Sequence, residues 1–134
     1  MELKKVVLRY LDGRVVPAYA PLFEEGADPI PSTDLGGAPL LVPLAELKAV
    51  FFVRTFSGNP SYDPPQFSGA LGSDGGRPLV LTFQDGERIL GEIRDVAHTD
   101  RGFFLTVLDP EDNNLLVYVN PAALSVPPEE IRRG

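Results

Sequence analysis

The chain has 134 residues, of which 43% are hydrophobic and 23% charged, with 13 glycines, 14 prolines, no cysteine and a formal net charge of −7. This is the composition of one ordinary globular domain or two very small ones, punctuated for short strands and tight turns. It excludes disulfides and cysteine-ligated metals, and its acidity disfavours nucleic acid and anionic membranes as partners.

The acidity is uneven: residues 1–56 and 57–78 each carry −1, and 79–134 carries −5. The opening MELKKVV lacks the long apolar stretch and small-residue cleavage site of a secretory leader. No apolar run reaches the length of a membrane span, and the longest, LKAVFFV, is interrupted by Lys48. A cytoplasmic, non-membrane protein is the expectation. Arg outnumbers Lys nine to three, and Asn and Gln total six. That balance fits a heat-loving bacterial source or equally a GC-rich genome.

In chain order, Val6, Leu8 and Tyr10 alternate towards one face, Asp12-Gly13 marks a hairpin turn, and Val16, Ala18 and Ala20 alternate after it. The proline- and glycine-rich stretch Pro21–Pro39 is expected to be a long loop, with Phe23 and Ile30 folding back as apolar plugs. Pro43 after LLV suits the first turn of a short helix. The strand that follows is apolar on both faces: Phe51 and Val53 point one way, Val50, Phe52 and Phe56 the other. Such a strand needs cover on both sides. It is either the surface on which two halves pack or a central strand of one larger sheet.

Residues 57–78 have the composition of a linker, with five Gly, four Pro and four Ser in 22 residues. Fully extended it spans roughly 70 Å at about 3.3 Å per residue. That reach allows two chains to exchange halves.

The pattern then recurs. At an offset of 73, Val7-Leu8-Arg9-Tyr10-Leu11-Asp12-Gly13-Arg14 falls on Val80-Leu81-Thr82-Phe83-Gln84-Asp85-Gly86-Glu87. At an offset of 77, Val42-Pro43-Leu44-Ala45-Glu46-Leu47 falls on Val119-Asn120-Pro121-Ala122-Ala123-Leu124. The unit reads strand, Asp-Gly turn, strand, loop, strand, one helical turn, strand. Leu79, Leu81 and Phe83 share a strand face, as do Ile89, Gly91 and Ile93, with Gly91 placed to relieve a sharp bend.

VLTFQDGERILGEI, GFFLTVLD and LLVYVNPAALSV together resemble the Sm-like version of the SH3-like small barrel. The resemblance implies an all-β fold of two such barrels packed in tandem: 1–56, a linker 57–78, and 79–134. The segment LKAVFFVRTFSGNPSY also resembles an uncharacterised bacterial family sometimes found beside PilZ signalling domains. This implies a place in signalling or motility regulation.

Catalytic signals are weak. The single histidine, His98, stands in a polar loop between Asp95 and Asp100, and no serine lies in a nucleophile elbow. Asp109 to Asn114, DPEDNN, lacks the glycine and closing glutamate of a calcium loop and reads as a hairpin connection. GSDGGRP leads into a strand, not a helix, so it is not a phosphate loop. The arginine pair and turn with which a PilZ domain binds a cyclic dinucleotide are missing. Arg88, Arg94 and Arg101 are the candidates for an Sm-like RNA surface but are outnumbered by acids.

The sequence therefore favours a non-catalytic adaptor that binds a protein partner, with no cofactor and no metal. Arg54, Tyr62 and Phe67, where the linker leaves the first half, are the candidate binding residues. The alternatives are an Sm-like RNA or cyclic-dinucleotide binder and a small-barrel hydrolase.

Overall fold

The computed structural model describes residues 2–57, 77–93, 101–109 and 111–125, with the backbone alone at 77–79. Most of the linker, with Tyr62 and Phe67, lies outside the described residues, as do 94–100, with His98, and the C-terminal stretch from 126.

The protein is all-β. Nine strands run β1 (Lys4–Tyr10), β2 (Val15–Ala20), β3 (Ile30–Thr33), β4 (Pro39–Val42), β5 (Leu47–Val53), β6 (Arg77–Thr82), β7 (Arg88–Ile93), β8 (Phe103–Val107) and β9 (Asn114–Val119). Short 3-10 turns at Leu44–Glu46 and Pro121–Ala123 precede β5 and follow β9. All nine strands join one antiparallel sheet in the order β4-β3-β2-β1-β5-β9-β8-β7-β6. Its outermost strands, β4 and β6, do not pair with each other, so the sheet is open. In place of two separate barrels, the halves are stitched together along β5 and β9, with Ala49 opposite Val119 and Phe51 opposite Val117.

The repeat is nonetheless physical. The offset of 73 carries β1 onto β6 (Lys4 to Arg77), β2 onto β7 (Val15 to Arg88) and β3 onto β8 (Ile30 to Phe103). The expected long loop Pro21–Pro39 is corrected here. It contains β3, and the connection 21–29 has the same length as its counterpart 94–102.

Both Asp-Gly turns close in the same way. Gly13 N donates to Tyr10 O (3.1 Å) and Tyr10 N to Arg14 O (2.9 Å); Gly86 N donates to Phe83 O (2.9 Å) and Phe83 N to Glu87 O (2.8 Å). Only the glycines take positive φ, 97° and 95°, while Asp12 and Asp85 do not. These are three-residue turns ending in a glycine bulge, not the primed two-residue turns that Asp-Gly suggests. The closing motif repeats too: Leu47 pairs with Tyr10, and Leu124 bridges Phe83.

Two cores form on opposite faces of this sheet. Val6, Leu8, Ala18, Ala20, Ile30, Val42, Val50 and Phe52 are buried on one. Ala49, Phe51, Val53, Leu81, Phe83, Ile89, Ile93, Phe103 and Leu105 are buried on the other. The period-two alternation of β5 and β9 feeds both: Tyr118 enters the first core, Val117 and Val119 the second. The two halves of the sheet thus roll towards opposite faces, and the doubly apolar β5 finds its two covers. Phe56 packs against the core that holds Phe51 and Val53, with its ring edge-on to Tyr19 at 5.6 Å, and not against the core of Val50 and Phe52 as alternation suggests. β5 has ended at Val53, so the period no longer holds. Gly91 answers a close approach: a Cβ there would lie 2.5 Å from Thr106 O and 2.6 Å from Leu105 Cγ.

The 21–29 connection of the first half docks onto the start of β8. Gly26 N donates to Gly102 O (2.9 Å), Phe104 N to Glu25 Oε2 (2.7 Å), and the Tyr118 hydroxyl to Ala27 O (2.9 Å). Phe23 stacks edge-on to Tyr118 at 4.7 Å, as a plug from the connection would, whereas the fully buried Ile30 is no loop plug but the first residue of β3. Burial pushes the Tyr118 phenol up to about 12. Its neutral form is favoured by folding, so this contribution is whole below about pH 10 and fades as pH rises from there through 12. Between pH 9 and 11.5 the melting temperature is expected to fall more steeply in the wild type than in Tyr118→Phe. Equal slopes in a pH-resolved melting series would remove Tyr118 from this account.

Candidate functional site

At the seam between the repeats the two Asp-Gly turns face a common cleft of about 400 Å³. Tyr10, Asp12, Gly13 and Arg14 line it from the first half, Phe83, Gln84 and Asp85 from the second, and Arg9 and Lys48 also contribute. The 3-10 turns brace the hairpins from behind: Leu11 N donates to Glu46 O (3.0 Å), and Gln84 N to Ala123 O (2.9 Å). Buried Asn120 ties the two turns together. Its Nδ2 donates to Leu44 O (3.1 Å) and Leu47 O (2.8 Å), while its Oδ1 accepts from Ala122 N (3.0 Å). A fully hydrogen-bonded buried amide of this kind fixes geometry.

Charge is arranged in layers. Lys48, 5% exposed, extends from β5 to Asp85 Oδ2 (2.7 Å) and to Glu87 Oε1, with its ammonium 4.8 Å from the centre of the Phe83 ring. Arg9 reaches the same Glu87 oxygen (3.3 Å) and lies over Phe51. Cations of the first half thus hold carboxylates of the second. At the rim, Arg14 lies 4.1 Å over the Tyr10 ring and pairs with Asp12 (2.9 Å).

Two carboxyls at the cleft sit below their usual range. Asp85 is lowered chiefly by the Lys48 hydrogen bond, then by the Glu87 amide. Asp12 is lowered first by the Arg14 amide, which donates to Oδ1 at 3.0 Å. Both are therefore ionised at neutral pH. A general acid needs the reverse shift. Among the described residues no group of three His, Cys, Asp or Glu side chains converges as a metal site. The cleft thus brings together carboxylates, cations and aromatic faces.

Arg54 lies elsewhere. It is exposed beyond the opposite end of β5, where its amide donates to Asn113 O (2.9 Å) and its Nε to Asp112 O (3.2 Å). It anchors the β8–β9 connection and does not line the cleft. In that connection Asp109 and Asp112 accept from the amides of Glu111 and Asn114, both at 2.9 Å, as turn formers do. Of the cleft residues, the sequence marked Asp12 and Asp85 as turns and Tyr10 and Phe83 as core. Lys48 was legible only as a charge inside an apolar run, which is the signal that finds it.

Among the described residues no helix is long and apolar enough to cross a membrane. A model for a family of unknown function, DUF6982, matches residues 2–126. No curated protein and no solved structure matches the chain.

Proposed function

The chain belongs to DUF6982, a family of unknown function, and we propose from its geometry that it is a non-catalytic protein-binding module. The cleft between the two Asp-Gly turns receives a basic segment of the partner. The observation that carries this reading is the cleft itself, where Tyr10, Asp12, Arg14, Phe83 and Asp85 stand together at a rigid seam. Sites on braced turns can recognise without moving.

The ionised state of Asp12 and Asp85 supports recognition over acid-base chemistry. The net charge of −7 supports a cationic partner, which it attracts, over RNA or a nucleotide phosphate, which it repels. The resemblance to proteins found beside PilZ domains supports a place in bacterial signalling or motility regulation.

The test is affinity capture from cells of the source organism, comparing wild-type protein with the rim variant Asp12→Lys/Gln84→Lys. A partner recovered with the wild type and reduced at least about tenfold with the variant is expected, since two reversed or added charges cost more than 1.4 kcal/mol at a complementary rim. A partner recovered equally by both contradicts the reading. So does RNA binding at physiological salt, or a rise in melting temperature with a cyclic dinucleotide.

A further inference from the structure

The two repeats hold the same small device at their Asp-Gly turns, but they fill it differently. In the second half, the ring of Phe83 and the carboxylate of Asp85 enclose the Lys48 ammonium, at 4.8 Å and 2.7 Å. In the first half, the offset of 73 places Tyr10 on Phe83 and Asp12 on Asp85. There the cation is Arg14, which lies 4.1 Å over the ring and 2.9 Å from the carboxylate. In both, an aromatic face and a carboxylate fixed by the amide two residues on cradle one positive charge.

The difference is in who supplies the charge. Lys48 comes from 37 residues away, and its side chain is 6% exposed. Arg14 comes from the same turn, and both it and Asp12 are more than half exposed, at 59% and 57%. Exposed pairs between near neighbours are weak and screened by salt. Under the offset of 77, Lys48 falls on Ser125, whose hydroxyl donates to Thr82 O (3.0 Å). The counterpart of Lys48 thus carries no charge and is bonded to β6 of its own half.

We infer that the Tyr10–Asp12 corner is a seat for one lysine or arginine side chain of a partner protein, and that Arg14 fills it as a stand-in in the free protein. This rests on the reading of the chain as a protein-binding module and names the chemistry recognised there. The seat opens on the cleft, where Leu11, Gly13 and Gln84 leave room for the incoming chain. The net charge of −7 draws a cation towards it. The incoming group exchanges with the Arg14 guanidinium, which swings into solvent. Lys48, seated between Phe83 and Asp85 of the second half, shows the completed arrangement.

The test is a titration of the 15N-labelled 134-residue chain, followed by amide shifts, with two probes: acetyl-Gly-Lys-Gly-amide and its glutamate counterpart. The lysine probe is expected to move the amides of Asp12, Gly13 and Arg14 with millimolar affinity. Arg14→Ala, which vacates the seat, is expected to tighten it about fivefold. Asp12→Asn in the Arg14→Ala background is expected to weaken it about tenfold, since a carboxylate and a ring each contribute on this scale. The spectra report folding of each variant directly.

The inference is overturned if Arg14→Ala binds no more lysine probe than the wild type. It is also overturned if the glutamate probe moves the same amides and loses them in Arg14→Ala, which would make Arg14 an anion receptor. If lysine binding fails while partner capture still depends on the cleft, the seat is wrong and the module reading stands. Lysine binding without any cleft-dependent partner gives the reverse.

Discussion

Phe51→Ala is expected to lower stability by about 3–5 kcal/mol, the range for removing a buried phenylalanine from a core that closes poorly. Phe51 is 2% exposed at the middle of β5, between Val7 on one side and Val117 on the other. It shares one core with Leu81, Phe83, Phe103 and Leu105, which belong to the other repeat. For a chain of 134 residues the loss lowers the melting temperature by roughly 10–20 °C. The shape of the transition matters as much as its position. Because β5 also sends Val50 and Phe52 into the opposite core, both halves unfold together in one shifted transition, with calorimetric and van't Hoff enthalpies equal. Two transitions of which only one moves would mean that the repeats are separate folding units.

Gly102→Ala is expected to cost about 3 kcal/mol, at the upper end for overpacking. A Cβ at this position would fall 2.0 Å from the Tyr118 hydroxyl oxygen and 2.2 Å from Cζ. Tyr118 has no slack with which to yield. It is fully buried, bonded to Ala27 O, and held between Phe23 and Phe104 at 4.7 Å and 4.9 Å. Relief therefore moves the 21–29 connection, whose Gly26 amide donates to Gly102 O. Urea unfolding of Gly102→Ala, Tyr118→Leu and the double variant checks the mechanism. Contact between the two sites predicts a coupling energy of about 1 kcal/mol or more, with Gly102→Ala nearly harmless once the ring is gone. Additive costs would show that the strain lies elsewhere.

Much of this fold was legible in the chain. Alternation at Val6, Leu8, Ala18 and Ala20 names the core face correctly, because a strand that buries one face leaves a period of two. The repeat survives because both turns need a glycine at positive φ. β3 was not legible: Ile30-Pro31-Ser32-Thr33 sits among prolines and glycines, and its buried Ser32 breaks the apolar alternation. The pairing of β5 with β9 was invisible for a deeper reason. Alternation tells which side chains face inward, not which strand lies alongside, so a doubly apolar β5 suited two packed barrels or one shared sheet alike.

The site was harder. A linker rich in Pro, Gly and aromatic residues drew attention to Arg54, Tyr62 and Phe67. The cleft is made instead by two turns 73 residues apart, each explained locally by its own geometry. Only their meeting in space turns Asp12, Asp85 and Lys48 from turn formers and a misplaced charge into the lining of one cleft. Its parts were on the page as sequence, but their adjacency depends on how two rolled halves share a strand pair.

That shared pair is what the account stands on. Nuclear Overhauser effects across β5 and β9 in the free protein test it most directly. Close backbone contacts are predicted between Ala49 and Val119 and between Phe51 and Val117. If those contacts are missing while β1–β5 and β8–β9 each keep their own cross-strand contacts, the single sheet, the double-sided β5 and the cleft at its seam are all contradicted.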